Sequence, residues 1–73
     1  MKYLKFYSKT CSPCKIADIV LAEKGIEYEA VDVETREPIA GQYGIMKVPT
    51  VVKVDEDGNE IERFIGLEQI HGI

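Results

Sequence analysis

The amino-acid sequence predicts an α/β fold whose elements follow the order βαβαββ. Residues 2–8 and 28–33 carry apolar side chains that alternate with polar ones, as is typical of strands. Between them, apolar residues recur at helical spacing over residues 12–24, and Gly25 stands where a helix would end. Because a helix joins the two strands, we expect them to be parallel, with a right-handed connection.

A second, shorter helix is predicted after this βαβ unit. Thr35 has the side chain of a helix cap, and Pro38 would fall in the first turn, where its missing N–H costs little. Gly44 marks the end of the pattern, so the helix would run to about Tyr43.

The last third of the chain predicts an antiparallel hairpin. Residues 50–54 (TVVKV) and 60–65 (EIERFI) read as strands, and the sequence between them, DEDGN, is a strong tight-turn sequence. Only seven residues follow Gly66, which is enough for one or two turns of helix. The closing helix is therefore expected to be truncated.

The composition is that of one folded domain, which we expect to span residues 1–73. Hydrophobic residues make up 45% of the chain and charged residues 30%, and the formal net charge is -4. No run of Lys or Arg could neutralise successive phosphates, so nucleic acid is not an expected partner. Lysines interrupt the first apolar stretch and no stretch approaches about 20 apolar residues, so neither a membrane span nor a secretion signal is expected. We expect a cytoplasmic monomer.

The two cysteines, Cys11 and Cys14, are too close in sequence to join distant parts of a small secreted fold. In a reducing compartment, a C-x-x-C pair of this kind indicates redox activity or metal binding. A closed zinc site needs four ligands, and His71 is the only other good candidate. We therefore expect redox chemistry, with no metal and no cofactor.

Disulfide exchange requires a thiolate, and the predicted start of the first helix can supply one. Cys11 would lie where strand turns into helix, so that unpaired N–H groups and the positive end of the helix dipole face its sulfur. Lys9 and Lys15 add positive charge nearby. Cys14, in the first helical turn, would be within reach to resolve a mixed disulfide at Cys11, and Pro13 would stiffen the loop between the sulfurs.

Val48 and Pro49 precede the first strand of the hairpin. A cis Val48–Pro49 bond would turn the backbone of Val48 outward beside Cys11, where its N–H and C=O could bind an extended peptide by strand addition. The alternative is an ordinary proline at the first position of a strand. The cis arrangement predicts substrate recognition that depends little on sequence.

In combination, these motifs resemble the thioredoxin and glutaredoxin superfamily over nearly the whole chain. The resemblance is carried by CSPCK after a strand, then KVPT, then a hairpin that ends in Gly66. Residues 48–66 are more similar to thioredoxins, whereas residues 21–34 are more similar to glutaredoxins. The resemblance implies a thioredoxin-like fold with a four-stranded mixed sheet in the order 2-1-3-4, β3 and β4 running antiparallel to the first two strands.

The resemblance also implies a role for each site residue. Cys11 would be the nucleophile, Cys14 the resolving cysteine and Pro49 the cis-proline. The substrate groove would be formed by Thr10, Ser12, Pro13, Val48, Pro49 and Gly66.

Two departures from the thioredoxin pattern lie close to the cysteines. Thr10 stands where thioredoxins carry a tryptophan, which implies a flatter and less apolar docking surface. Lys5 stands where thioredoxins carry a buried aspartate that assists proton transfer from the resolving cysteine, so that role must be filled differently here.

The function implied is reduction of disulfides in client proteins, with electrons from a flavin-dependent reductase of the thioredoxin-reductase type. Ribonucleotide reductase is a candidate client. Two alternatives remain at this stage. One is a glutathione-dependent glutaredoxin, and the other is a non-catalytic interaction module that uses the same groove to hold a partner chain.

Overall fold

The structure is a computed structural model that describes residues 1–73. It contains β1 (Lys2–Tyr7), α1 (Ser12–Glu23), β2 (Glu29–Asp32), α2 (Glu37–Gln42), β3 (Thr50–Val54), β4 (Glu60–Ile65) and α3 (Gly66–His71). The predicted order βαβαββ is confirmed, and a short helix follows the last strand. Both strands of the hairpin have the predicted bounds, whereas β2 is shorter than residues 28–33. No helix is long and apolar enough to cross a membrane.

The four strands form one mixed sheet in the order β2-β1-β3-β4, which confirms the predicted strand order. β1 is parallel to β2 and antiparallel to β3, and β3 is antiparallel to β4. The prediction that β4 runs antiparallel to the first two strands was wrong, because its hairpin with β3 makes it parallel to them. In this register Phe6 pairs with Thr50, and Thr50 pairs with Ile65. The end of β1, the start of β3 and the end of β4 therefore meet at one end of the sheet.

Apolar side chains are buried on both faces of the sheet. On the face covered by α2, the buried side chains are Leu4, Phe6, Val31, Ala40, Val52 and Val54. On the face covered by α1 and α3, they are Ala17, Val20, Leu21, Val51 and Ile70. Adjacent residues of β1 and β3 serve opposite faces because side chains alternate along a strand.

Helix α1 ends as the sequence predicts, at a glycine. Gly25 has φ +68°, a conformation that glycine adopts without steric cost. The N–H of Ile26 donates to the carbonyl of Leu21, and that of Gly25 donates to Ala22, both at 3.0 Å. This pair of bonds is the Schellman motif, which satisfies carbonyl groups at the end of the helix and turns the chain toward β2.

The predicted cap of α2 was wrong. Thr35 does not cap the helix, which begins after Arg36 and has no side-chain cap. The reason is a turn that directly follows β2. The N–H of Arg36 donates to the carbonyl of Asp32 (2.9 Å), and the Asp32 carboxylate accepts the N–H of Glu34 (2.8 Å). Thr35 lies inside this turn, whereas Pro38 in the first helical turn is as predicted.

The short α3 packs against α1 and the end of the hairpin. Ile70, at 0% exposed, inserts between α1 and β3. Farther along the same face of the sheet, Lys53 of β3 is half-buried and its Nζ lies 5.9 Å from the centre of the Tyr3 ring. The small helix therefore covers the face only in part, and the lysine stem and tyrosine ring continue the packing.

We expect Leu21→Ala to lower the free energy of unfolding by about 2–5 kcal/mol, because it leaves a cavity between α1 and the sheet. Leu21 is 0% exposed, whereas Ile19, two residues away in the same helix, is 61% exposed. Ile19→Ala is therefore the matched control and should change stability by no more than about 0.5 kcal/mol. Urea titration of the oxidised protein measures both values, and similar losses for the two variants would contradict this packing.

Candidate active site

Cys11 and Cys14 form a disulfide at the amino end of α1, with their Cα atoms 5.3 Å apart. Cys11 is the N-cap residue, and Cys14 is the third residue of the helix. Cys11 is half-buried, whereas Cys14 is 2% exposed and faces the sheet. The two cysteines therefore differ in accessibility, and only Cys11 can be approached by a large substrate.

The first turn of α1 directs a hydrogen-bond donor at the sulfur of Cys11. The N–H of Cys14 donates to Cys11 Sγ at 3.2 Å. Pro13 has no N–H, and no acidic residue lies in this first turn. A thiolate on Cys11 would therefore face a backbone N–H and the positive end of the helix dipole, which are the features that stabilise negative sulfur.

The loop before β3 lies at the same end of the sheet. The Val48–Pro49 bond is cis, as predicted. The carbonyl of Pro49 accepts the N–H of Gly66 (2.9 Å), and the Thr50 hydroxyl donates to the carbonyl of Lys47 (2.6 Å). The first bond joins the loop to the end of β4 and the second closes the loop onto the start of β3, while Val48 makes no backbone hydrogen bond within the chain.

The predicted groove residues occupy the loops that meet at this end of the sheet. Thr10, Ser12 and Pro13 are exposed around Cys11. Pro49 is buried, and Val48 and Gly66 are half-buried. Two segments that are distant in sequence thus lie at the end of the sheet where β1 leads into α1.

An open pocket of about 150 Å³ adjoins the proline loop and was not predicted from the sequence. It is lined by Val33, Ile45, Met46, Lys47 and Val48. Met46 is 97% exposed. The sequence offered one signal for this pocket. Met46 is an apolar residue between Gly44 and Pro49, in a segment that is predicted to be neither helix nor strand.

A buried lysine forms an ion pair with α1, and only the lysine was singled out from the sequence. Lys5 is 2% exposed, and its Nζ donates to Oδ1 of Asp18 on α1 at 2.5 Å. The hydroxyl of Tyr28 donates to the same oxygen at 2.6 Å. The Lys5 Nζ also lies 5.0 Å from the centre of the Tyr7 ring and 5.8 Å from that of Tyr28, within the range of cation–π attraction.

The pKa values of this cluster follow from its contacts. Burial alone would raise the pKa of Asp18, but the hydrogen bonds from Lys5 and Tyr28, with the charge of Lys5, hold it below its ordinary value. Burial and the hydrogen bond to the Asp18 carboxylate raise the pKa of Tyr28 to about 12. Asp18 therefore carries a negative charge and Tyr28 is neutral at physiological pH.

His71, the residue considered as a metal ligand, is exposed at the end of α3. The structure contains no group of three or more His, Cys, Asp or Glu side chains placed to hold a metal ion.

Comparisons with known proteins agree with the fold and the cysteine pair. A family model described as thioredoxin matches residues 2–73. A prophage-derived thioredoxin-like protein of Bacillus subtilis is 31% identical over 68 residues, which cover 93% of this chain and 85% of that protein.

Solved structures give the same result. Thioredoxin 1 from Thermosipho africanus has a TM-score of 0.71 at 31% identity, covering 88% of this chain and 75% of that one. The thioredoxin of Malassezia sympodialis has a TM-score of 0.73 at 28% identity, covering 88% of this chain. This chain spans only 61% of the length of the Malassezia protein.

A cysteine pair at disulfide distance on this fold supports the class of thiol–disulfide oxidoreductases. Within that class, the chain belongs to the thioredoxin family.

We expect the two halves of the Lys5–Asp18 pair to respond differently to mutation. Asp18→Asn leaves a buried ammonium without its charged partner and should lower the free energy of unfolding by about 1–3 kcal/mol. Lys5→Met keeps the apolar stem and leaves Asp18, whose side chain is 47% exposed, to be solvated by water. Its effect should stay within about 1 kcal/mol. Urea unfolding compares the variants, and a larger loss for Lys5→Met than for Asp18→Asn would contradict this description.

Proposed function

We propose that this protein is a thioredoxin-type protein-disulfide reductase in which Cys11 attacks client disulfides and Cys14 resolves the product. The observation that carries the proposal is the N–H of Cys14 directed at Cys11 Sγ, combined with the difference in burial between the two cysteines. The half-buried Cys11 has both access and stabilisation of negative charge. Cys14 is buried and does not need to be reached by the client, because the sulfur that it attacks is that of Cys11.

The proposed reaction has two steps. The Cys11 thiolate attacks one sulfur of a client disulfide, the second client sulfur leaves as a thiolate, and a mixed disulfide remains on Cys11. Cys14 then loses its proton and attacks Cys11 Sγ, which releases the second client thiolate and forms the Cys11–Cys14 disulfide. The client gains two electrons, which a reductase must replace.

For client binding, we propose that an extended segment pairs with the backbone of Val48. That backbone has no partner within the chain, although it lies in a loop held firmly on both sides. Thr10, Ser12, Pro13 and Gly66 would border the segment, with Pro49 beneath it. Recognition through main-chain hydrogen bonds favours many clients over one sequence.

For the electron donor, we propose a flavin-dependent disulfide reductase rather than glutathione. Glutathione binding requires cationic and amide groups around the first cysteine to hold its carboxylates. Lys9 and Lys47 are exposed cations in the adjoining loops, but Glu68 places negative charge in the first turn of α3, beside Gly66. We also propose that the protein acts as a cytoplasmic monomer, with ribonucleotide reductase as a candidate client.

The assignment of attacker and resolver predicts which mutant traps clients. Cys14→Ser should accumulate mixed disulfides with substrate proteins, because the attacker remains and the resolver is gone. Cys11→Ser should accumulate none. Non-reducing electrophoresis after incubation with a disulfide-containing protein compares the two variants, and trapping by Cys11→Ser alone, or equally by both, would reverse the assignment.

The electron donor is tested by coupling the oxidised protein to two reducing systems in parallel. We expect NADPH oxidation with a thioredoxin-type reductase to be at least about tenfold faster than with glutathione and glutathione reductase, because the charges around the cysteines do not suit glutathione. The Cys11→Ser variant is the control for background oxidation. Faster turnover in the glutathione system would assign the protein a glutaredoxin function instead.

A further inference from the structure

Lys5 is a buried charge that the proposed exchange reaction does not use. Only three polar or charged side chains are buried in the chain, and Lys5 is the one cation among them, at 2% exposed. Burying an ammonium group costs free energy unless the group is paired. A single ion pair with a half-exposed carboxylate offsets that cost only in part, so stability alone does not account for a buried lysine here. Its location relative to the cysteines suggests what it does.

The ammonium of Lys5 contacts α1 one helical turn after Cys14, at Asp18. Asp18, which binds the Lys5 Nζ, is four residues after Cys14 in the helix. Side chains at this spacing are neighbours on one helix face, with Cβ atoms about 5–6 Å apart. The Tyr7 ring, 5.0 Å from the Nζ, belongs to the last residue of β1, at the cysteine end of the strand. Cys14 and the Lys5 ammonium therefore share one water-poor interface between α1 and the sheet.

Of the other elements around Lys5, only β2 brings a buried charge, that of Asp32, which is 5% exposed, pairs with Tyr7 in the register of the sheet and accepts the N–H of Glu34. In the register of the sheet, Lys5 is flanked by Ala30 of β2 and Val51 of β3, which are both apolar. The segment before β2 contributes the neutral Tyr28, and α3 contributes the apolar Ile70. A further lysine on this face of the sheet is Lys53, two residues farther from the cysteine end than Val51.

We propose that the buried ammonium of Lys5 is a positioning charge that favours the thiolate of Cys14 and thereby speeds resolution of the mixed disulfide. This inference rests on the proposed function. The thiol of Cys14 gives its proton to a solvent base, its sulfur attacks Cys11 Sγ, and the client sulfur leaves as a thiolate. Lys5 takes no proton in this step. It stabilises the negative charge on Cys14, which is otherwise disfavoured in a buried site.

Asp18 is a poor candidate for the proton acceptor, because its hydrogen bonds to Lys5 and Tyr28 already stabilise the deprotonated carboxylate. Its negative charge instead offsets part of the effect of Lys5 on Cys14. Removal of Lys5 and removal of Asp18 should therefore act on Cys14 in opposite directions, which a general loss of packing would not produce.

The titration of Cys14 is measured in Cys11→Ser, where it is the only cysteine, from its Cβ chemical shift as a function of pH. We expect Lys5→Met to raise the titration midpoint by about one pH unit and Asp18→Asn to lower it. The matched control is Lys53→Met, which removes a lysine that also lies over a tyrosine ring on the same face and should leave the midpoint unchanged. Circular dichroism establishes that each variant is folded.

The consequence for exchange is measured with both cysteines present, as the rate at which Cys14 displaces an aromatic thiol from Cys11. Lys5→Met should slow this step about tenfold at neutral pH, and the difference should vanish at high pH, where Cys14 is deprotonated in both proteins. A midpoint that is the same with and without Lys5, or that moves equally in Lys53→Met, would overturn the inference and leave the proposed function intact. Absence of exchange in the unmodified protein would overturn the proposed function, whatever the titration shows.

Discussion

The start of α1 is the feature on which the active site depends. Because the helix begins directly after Cys11, one backbone N–H of its first turn, that of Cys14, is directed at the Cys11 sulfur. The same turn places Cys14 against the sheet, where it is 2% exposed. One local conformation therefore makes two chemically similar residues unequal in access and in stabilisation of negative charge. Attack and resolution require that difference.

The sheet brings the loop before β3 and the end of β4 to the end at which α1 begins. Since β1 lies between β2 and β3, its carboxyl end is beside the first residues of β3 and the last of β4. The bond from the N–H of Gly66 to the carbonyl of Pro49 ties these segments together. The backbone of Val48 makes no hydrogen bond within the chain, and the buried Lys5 of β1 contacts α1 through Asp18. A chain of 73 residues thus places a cysteine pair, a stretch of backbone without hydrogen-bond partners and a buried lysine on one four-stranded sheet.

Features that depend on neighbouring residues were predictable from local sequence patterns, and the strand order from the family resemblance, whereas side-chain contacts between distant segments were not. Gly25 ends α1 and DEDGN connects β3 to β4 because each is determined by local backbone preference. The capping role of Thr35 failed because Asp32, three residues earlier, forms a turn that delays the helix. Asp18, the hydrogen-bond partner of Lys5, lies 13 residues away on α1, and Tyr28, which donates to the same carboxylate, lies before β2. No periodic pattern links these residues. The pocket beside Met46 likewise forms only when the loop and the end of β2 come together.

The central claim is that the first turn of α1 makes Cys11 the reactive thiolate. The most direct test is the rate of alkylation of each cysteine in the reduced protein as a function of pH, read for Cys11 and Cys14 separately by mass spectrometry of their peptides. The account predicts that Cys11 is alkylated first, and that its rate reaches a plateau well below the pH of about 8.5 at which an ordinary cysteine ionises. Equal rates for the two cysteines, faster alkylation of Cys14, or a plateau for Cys11 at or above the ordinary value would contradict it.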